Sequence, residues 1–150
     1  MLLPLNFRFA KDGDAVCVYG VFDGFSGPEV ADFASKKFPA ELLLDQLSQD
    51  TSQEAVKKIL HDTFDAVDRE FFQSISEHLM SRMVMLEDKR VPQDNPRLQA
   101  LEKVTLTGAS ATVAILLQEN RLNIAHVGKQ DIPYPYKDCR IASVSLMSYS

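Results

Sequence analysis

Apolar residues occupy both sets of alternating positions in a short run, DAVCVYGVF, at residues 14–22. The run is rich in Val and aromatic residues, which is typical of a strand buried on both faces. Gly20 within it indicates a bulge or a close approach by another backbone. The residues that follow, DGFSGP at 23–28, predict a turn, and Pro28 suits the first position of a helix.

A helical pattern follows the turn and continues through two segments. Apolar residues at three- and four-residue steps predict a first helix that Pro39 kinks or divides in two. Thr51 and Glu54 match a capping box, and a second helix is predicted from about Ser52 into the low eighties. Its apolar face consists of Val56, Ile59, Leu60, Phe64, Val67, Phe71, Ile75 and Leu79. We therefore expect one long helix with a single buried face.

The second half of the chain contains a predicted loop and a predicted hairpin. The helical pattern ends from Glu87 to about Asn95, and the loop is indicated by Pro92, Asp94, Asn95 and Pro96. ASATVAILL at 109–117 predicts a second buried strand, and LNIAHV at 122–127 predicts its antiparallel return strand. The hydrophobic periodicity of the sequence ends after this hairpin. We therefore expect one unit at residues 1–128 and a divergent C-terminal tail at residues 129–150.

Composition excludes several classes of protein. The chain has 150 residues, with 16 Lys and Arg against 21 Asp and Glu and a net charge of −5. Nucleic acid is not an expected partner, because phosphate contacts need a basic face. No apolar run approaches the roughly 20 residues of a membrane-spanning helix, and the N-terminal MLLPLNFRF lacks the features of a secretory leader. Cys17 and Cys139 make no disulfide framework or zinc cluster, so we expect a cytoplasmic protein without membrane insertion.

Asp23 ends the first predicted strand and is followed at once by a glycine-containing turn. A strand holds such a carboxylate in place, and Gly24 admits a ligand close to the backbone. A divalent cation would accept the Asp23 carboxylate and a neighbouring backbone carbonyl as oxygen ligands. Alternatively, Asp23 caps the turn by accepting backbone N–H groups of Phe25 or Ser26.

Two motifs resemble those of the metal-dependent type 2C serine/threonine protein phosphatases. VYGVFDGFSG at residues 18–27 is similar to the family pattern V-Y-D-G-H-G-G. TGASATVAILLQENRLNIAHVG at residues 107–128 is similar to the family hairpin that ends in G-D-S-R. The resemblance implies an α+β fold, a β-sandwich of two mainly antiparallel sheets flanked by helices in α-β-β-α layers. This chain would supply an incomplete, N-terminal part of that sandwich.

The resemblance also implies vestigial metal ligands without a complete site. Asp23 matches the family's metal-bridging Asp, and Gly24 matches the glycine whose carbonyl completes a site of two Mg or Mn ions. Phe25 stands where the family has a His that can serve as general acid, and a phenyl ring cannot donate a proton. The hairpin's G-D-S-R reads GKQD at residues 128–131, and no Glu-Asp pair precedes the first predicted strand. We therefore expect no catalytic residue, no activity and no bound cofactor.

Within the family, residues 7–47 are most similar to a catalytically inactive branch. That branch has an aromatic residue in place of the His and a segment similar to AELLLDQL at residues 40–47. The resemblance implies a pseudophosphatase adaptor that binds and supports a MAP kinase kinase kinase in cytoplasmic stress and innate-immune signalling. One alternative is a fragment or isoform of an active phosphatase, which would use Mg or Mn. Another is a truncated or alternatively spliced product without an independent role.

Overall fold

A computed structural model describes residues 1–11, 14–44, 52–117, 121–128 and 147–149. In chain order these residues form β1 (Leu2–Lys11), β2 (Asp14–Phe25), α1 (Glu29–Leu44), α2 (Gln53–Ser74), α3 (Ser76–Glu87), α4 (Pro96–Thr105), β3 (Gly108–Leu117), β4 (Arg121–Val127) and β5 (Met147–Tyr149). The strands make one antiparallel sheet in the order β1-β2-β3-β4-β5. The α+β class implied by the resemblance is therefore confirmed. Thr51, Cys139 and most of the predicted tail lie outside the described residues.

β1 is an edge strand that the sequence analysis does not predict. Its alternate residues are partly buried and pack against the core: Leu3, Leu5, Phe7 and Phe9. Asn6 and Arg8 lie between them and are exposed, as the period of two in a strand requires. Pro4 is compatible with the strand because, among the described residues, β1 pairs on one side only, with β2.

β2 lies between β1 and β3 and is buried on one face rather than two. Val16, Val18 and Phe22 are buried, whereas Tyr19 is 47% exposed and Val21 43% exposed. The prediction of burial on both faces is therefore wrong for the part of the chain that is described. The physical reason is that α1 and α2 cover one face of the sheet, while no described element covers the other.

α1 and α2 supply the aromatic centre of the core. The Phe38 ring of α1 lies between Phe22 of β2 and Phe64 of α2, with ring centroids 5.7 Å and 4.8 Å away. The helices are also joined at the surface, where Lys37 Nζ is 2.8 Å from Glu70 Oε2. Hydrogen bonding to Lys37 lowers the pKa of Glu70 below its ordinary value. α1 continues through Pro39 as one helix, so it is not divided in two.

The predicted long helix is two helices, α2 and α3, that meet at Ile75. The backbone there has φ −104° and ψ 8°, outside the helical region. Ser74 Oγ donates to the carbonyl of Phe71 at 2.7 Å, a local bond that competes with the helical ladder. Ile75 is buried, but no residue of α3 is. The cap of α2 is Ser52, whose hydroxyl accepts a backbone N–H of the first turn.

α4 begins where the sequence analysis predicts only a loop. Asn95 Oδ1 accepts the backbone N–H of Arg97 at 2.9 Å and that of Leu98 at 3.4 Å. Pro96 follows this cap at the start of the helix, where its missing N–H costs nothing. Leu98 and Leu101 are buried. Asn95 and Pro96, two of the residues from which the loop is predicted, therefore start a helix.

The predicted hairpin is confirmed as β3 and β4. The two strands pair from Ala111↔Val127 to Leu117↔Arg121, and each begins one residue earlier than predicted. β5 adds to the far edge through pairs such as Ile124↔Met147. None of the helices in the described ranges is long and apolar enough to cross a membrane.

Candidate functional site at the end of β2

Asp23 lies within β2, because this strand extends three residues beyond the predicted end at Phe22. It is paired on both sides, with Leu2 opposite it on β1 and Ser110 opposite it on β3. Pairing with two neighbours keeps the chain extended through Phe25, which explains why the turn begins later than predicted. The Asp23 side chain is 55% exposed on the sheet face that the helices leave open.

The turn itself is formed by Ser26 and Gly27. Their φ angles are 61° and 155°, both in the range that favours glycine. Ser26 stands where the family pattern has a glycine, and a left-handed non-glycine residue costs about 1–2 kcal/mol. A Cβ atom at Gly27 would overlap the Glu29 carboxylate and lie 2.6 Å from Thr107 Cγ2. This turn therefore tolerates a serine at one position and requires glycine at the next.

Gly24 lets the turn fold back onto the strand. A Cβ atom there would lie 2.6 Å from the carbonyl oxygen of Gly27 and 3.2 Å from Ala31 Cβ. Its own backbone groups stay available for contacts on the other side, toward β1.

Phe25 occupies the family's His position and packs across the strand pair. It lies opposite Gly108, and a Cβ atom at Gly108 would come within 3.0 Å of three atoms of the Phe25 ring. The ring thus covers a glycine of β3 while 51% of the residue stays exposed. Phe25 therefore packs against Gly108 and cannot act as a proton donor.

The Asp23 carboxylate and the Gly24 carbonyl, called the Asp23–Gly24 site below, both contact the ammonium group of Met1. The Met1 nitrogen is 3.2 Å from Asp23 Oδ1 and 3.0 Å from Gly24 O. The Gly24 N–H in turn donates to the Met1 carbonyl at 3.1 Å. The two predicted ligand atoms therefore do face one cationic centre. Among the described residues, neither Phe25 nor Ser26 donates a hydrogen bond to Asp23, so the turn-cap alternative is not the contact formed.

The donor atoms near Asp23 do not fit the pair of metal ions that the resemblance implies. No group of three or more His, Cys, Asp or Glu side chains in the described ranges is placed to hold a metal ion. The strand beside Asp23, β1, contains no acidic residue and puts Leu2 opposite the carboxylate. A two-metal centre needs several converging carboxylates, because hard divalent cations take six or more oxygen ligands. No reaction step through a metal follows from these residues.

A second polar contact lies on the same open sheet face. Thr112 Oγ1 of β3 is 2.8 Å from His126 Nδ1 of β4, its direct cross-strand partner. No motif in the sequence marks these two residues as a pair, although the hairpin register would place them side by side. The hydrogen bond orients the imidazole ring, and Val21 of β2 lies opposite Thr112 on the other side.

The comparison with known protein families agrees with this arrangement. The family described as Protein phosphatase 2C matches residues 1–132. The match contains β1 to β4, all four described helices and both motifs, including the turn at Asp23. It covers most of the chain. This chain therefore belongs to the protein phosphatase 2C family.

Proposed function

We propose that this chain is a non-catalytic, pseudophosphatase member of the family. Its role would be to bind a MAP kinase kinase kinase and support its activation in cytoplasmic stress and innate-immune signalling. The observation that carries the proposal is Phe25, a packing residue at the position of the family's general acid. The resemblance behind the choice of partner is to the inactive member that serves as activator and binding subunit of the transforming-growth-factor-β-activated MAP kinase kinase kinase.

The chemistry around Asp23 supports a non-catalytic role. A phosphatase of this family needs water activated by metal ions and a proton for the leaving alkoxide. Phe25 supplies no proton, and β1 beside Asp23 contains no acidic residue. A domain that is retained only for binding would tolerate the absence of the proton donor and of the acidic metal ligands.

An apolar surface on α3 supports a binding role. Met80 is 63% exposed and Val84 64% exposed, one helical turn apart. Met83 lies beside them and is also exposed. Methionine and aliphatic side chains grouped on a helix surface are typical of protein contacts.

The test is retention of the kinase by the immobilised 150-residue chain. We expect the transforming-growth-factor-β-activated MAP kinase kinase kinase to be retained by the unchanged chain. Val84→Glu should lower retention about fivefold, the effect of losing about 1 kcal/mol at an interface. Gln73→Glu is the matched control, since it adds the same charge to an exposed residue of α2 and should retain the kinase fully. A folded chain that retains no kinase would contradict the proposal.

The alternative is that the chain is part of an active metal-dependent serine/threonine phosphatase. It is favoured by the Asp23–Gly24 site, whose two oxygen atoms face one cation as the family's ligands would. Hydrolysis of p-nitrophenyl phosphate with Mn or Mg tests it, with Asp23→Ala as the control. Activity that Asp23→Ala abolishes would establish the alternative. Detection in cells of a peptide from residues 129–140 would separately show that the predicted tail is a natural one.

A further inference from the structure

The apolar surface of α3 lies between two acidic side chains. Met80, Met83 and Val84, called the α3 surface below, are 63%, 56% and 64% exposed. Glu77 lies three residues before Met80, and Glu87 lies four residues after Met83. Steps of three and four residues put side chains on one side of a helix, so an acid lies at each end of the same apolar stripe. Both acids are exposed, and none of the ion pairs among the described residues includes either of them.

We propose that the α3 surface binds a basic amphipathic helix, with apolar side chains along one face and a Lys or Arg near each end of that face. This inference rests on the proposed function for the role of α3 in binding, and it adds the chemistry of the segment that is bound. The three apolar side chains together expose on the order of 300 Å², a size at which exposed patches mark contact sites. Methionine side chains are unbranched and flexible, so they adapt to the apolar face of a helix laid along them.

The other side of α3 is held by α4, which fixes the direction of the α3 surface. Leu79, Arg82 and Met85 follow one another at three-residue steps and are partly buried. Arg82 Nη2 lies 3.5 Å from Glu102 Oε1 of α4, against which α3 packs. The α3 surface is on the opposite side, where more than half of each residue is exposed. A partner helix would therefore meet a helix face that is already formed.

Charge favours a basic helix over a second copy of this chain. Two α3 surfaces laid together, parallel or antiparallel, would bring glutamates against glutamates at both ends, where like charges repel. The same two side chains disfavour a membrane that contains anionic lipids. Glu77 and Glu87 are ten residues apart, which is about 15 Å along the helix axis. Two basic side chains at that spacing on a partner helix would each face one glutamate.

The test is binding of a synthetic peptide to the full 150-residue chain, followed by fluorescence anisotropy at low ionic strength. The peptide is a cross-linked amphipathic helix of about 16 residues, with leucines along one face and a lysine near each end of that face. We expect saturable binding to the parent and about tenfold weaker binding to the double variant Glu77→Lys and Glu87→Lys, because two attractions become repulsions. A second peptide with glutamates in place of these lysines should show the reverse, and bind the double variant about tenfold more tightly than the parent.

The matched control is the double variant Glu54→Lys and Asp65→Lys on α2. These two acids are exposed and eleven residues apart, and their reversal gives the same change in net charge. The control variant should bind both peptides as the parent does. An equal loss of lysine-peptide binding in the control, no preference of the glutamate peptide for the Glu77 and Glu87 variant, or no saturable binding by the folded parent would overturn the proposal.

Other occupants of the α3 surface are distinguished by two sedimentation measurements. Self-association of the parent that Met80→Ser abolishes would assign the surface to a second copy and overturn the proposal. Sedimentation with vesicles of phosphatidylcholine and phosphatidylserine that Met80→Ser abolishes would assign it to lipid, with the same consequence. The kinase experiment fails separately: a chain that binds the lysine peptide but no kinase refutes only the choice of kinase, and a chain that retains the kinase but binds neither peptide refutes only this inference.

Discussion

Restoring a histidine at position 25 tests both the packing and the chemistry assigned to the turn. Phe25 is 51% exposed, so about half of its surface is removed from water by Gly108 and its surroundings. For a side chain of phenylalanine size this is about 100 Å², worth about 2.5 kcal/mol at 25 cal/mol per Å² as an upper value. The smaller, polar imidazole keeps roughly half of that contact. Phe25→His should therefore lower the free energy of unfolding by about 1 kcal/mol.

The same variant should have no phosphatase activity. An imidazole at position 25 supplies a proton donor, but Leu2 still lies opposite Asp23 and β1 contains no acidic residue. The assays are urea denaturation for stability and p-nitrophenyl phosphate hydrolysis with Mn for activity. Phe25→Leu is the control, since it keeps an apolar contact over Gly108 and adds no titratable group. Mn-dependent hydrolysis by Phe25→His that Asp23→Ala abolishes would refute the reasoning about the site, and an unchanged unfolding midpoint would refute the packing estimate.

Three further substitutions test the turn, the core and the contact between the helices. Ser26→Gly should raise the free energy of unfolding by about 0.5–1 kcal/mol in urea denaturation, because relief of left-handed strain exceeds the added chain entropy. Phe38→Ala should lower it by about 3–5 kcal/mol in the same assay, since the ring is fully buried between two others. Hydrogen bonding to Lys37 lowers the pKa of Glu70, so this pair stabilises the fold above the ordinary glutamate pKa of about 4.3 and loses that effect as the pH falls through the lowered value. Thermal melts should accordingly show Glu70→Gln less stable than the parent at pH 7, with a difference that disappears in acid.

Elements whose signal is local could be predicted from the sequence. The hairpin of β3 and β4 is predicted within one residue at each start, because its alternation and its turn lie in one short stretch. The break between α2 and α3 could not be predicted from spacing, since Phe71, Ile75 and Leu79 continue the four-residue step across it. Only the backbone at Ile75 and the hydroxyl of Ser74 show that the helix ends there.

Two elements, β1 and α4, are not predicted from the sequence. Each contains a proline that, taken alone, is typical of a different structure. The alternation of Leu3, Leu5, Phe7 and Phe9 is that of a half-buried strand, but Pro4 and the position at the amino terminus direct attention to a leader instead. Pro96 also prevents the prediction of α4, because a proline indicates a loop unless an Asn that caps a helix directly precedes it. In both cases the neighbours of the proline, rather than the proline itself, decide the structure.

The candidate site shows why a motif match and a site can differ. Asp23 and Gly24 are found from the motif, whereas Met1 lies 22 residues from Asp23 and joins it only through the register of β1 and β2. That register is set by the inward side chains of β1, which have no part in the motif. The residue opposite Asp23 is then Leu2, and the Met1 backbone nitrogen lies 3.2 Å from the carboxylate. What the turn at Asp23 can bind is therefore decided by the strand beside it, so a variant that shifts β1 should change the site even with Asp23 and Gly24 untouched.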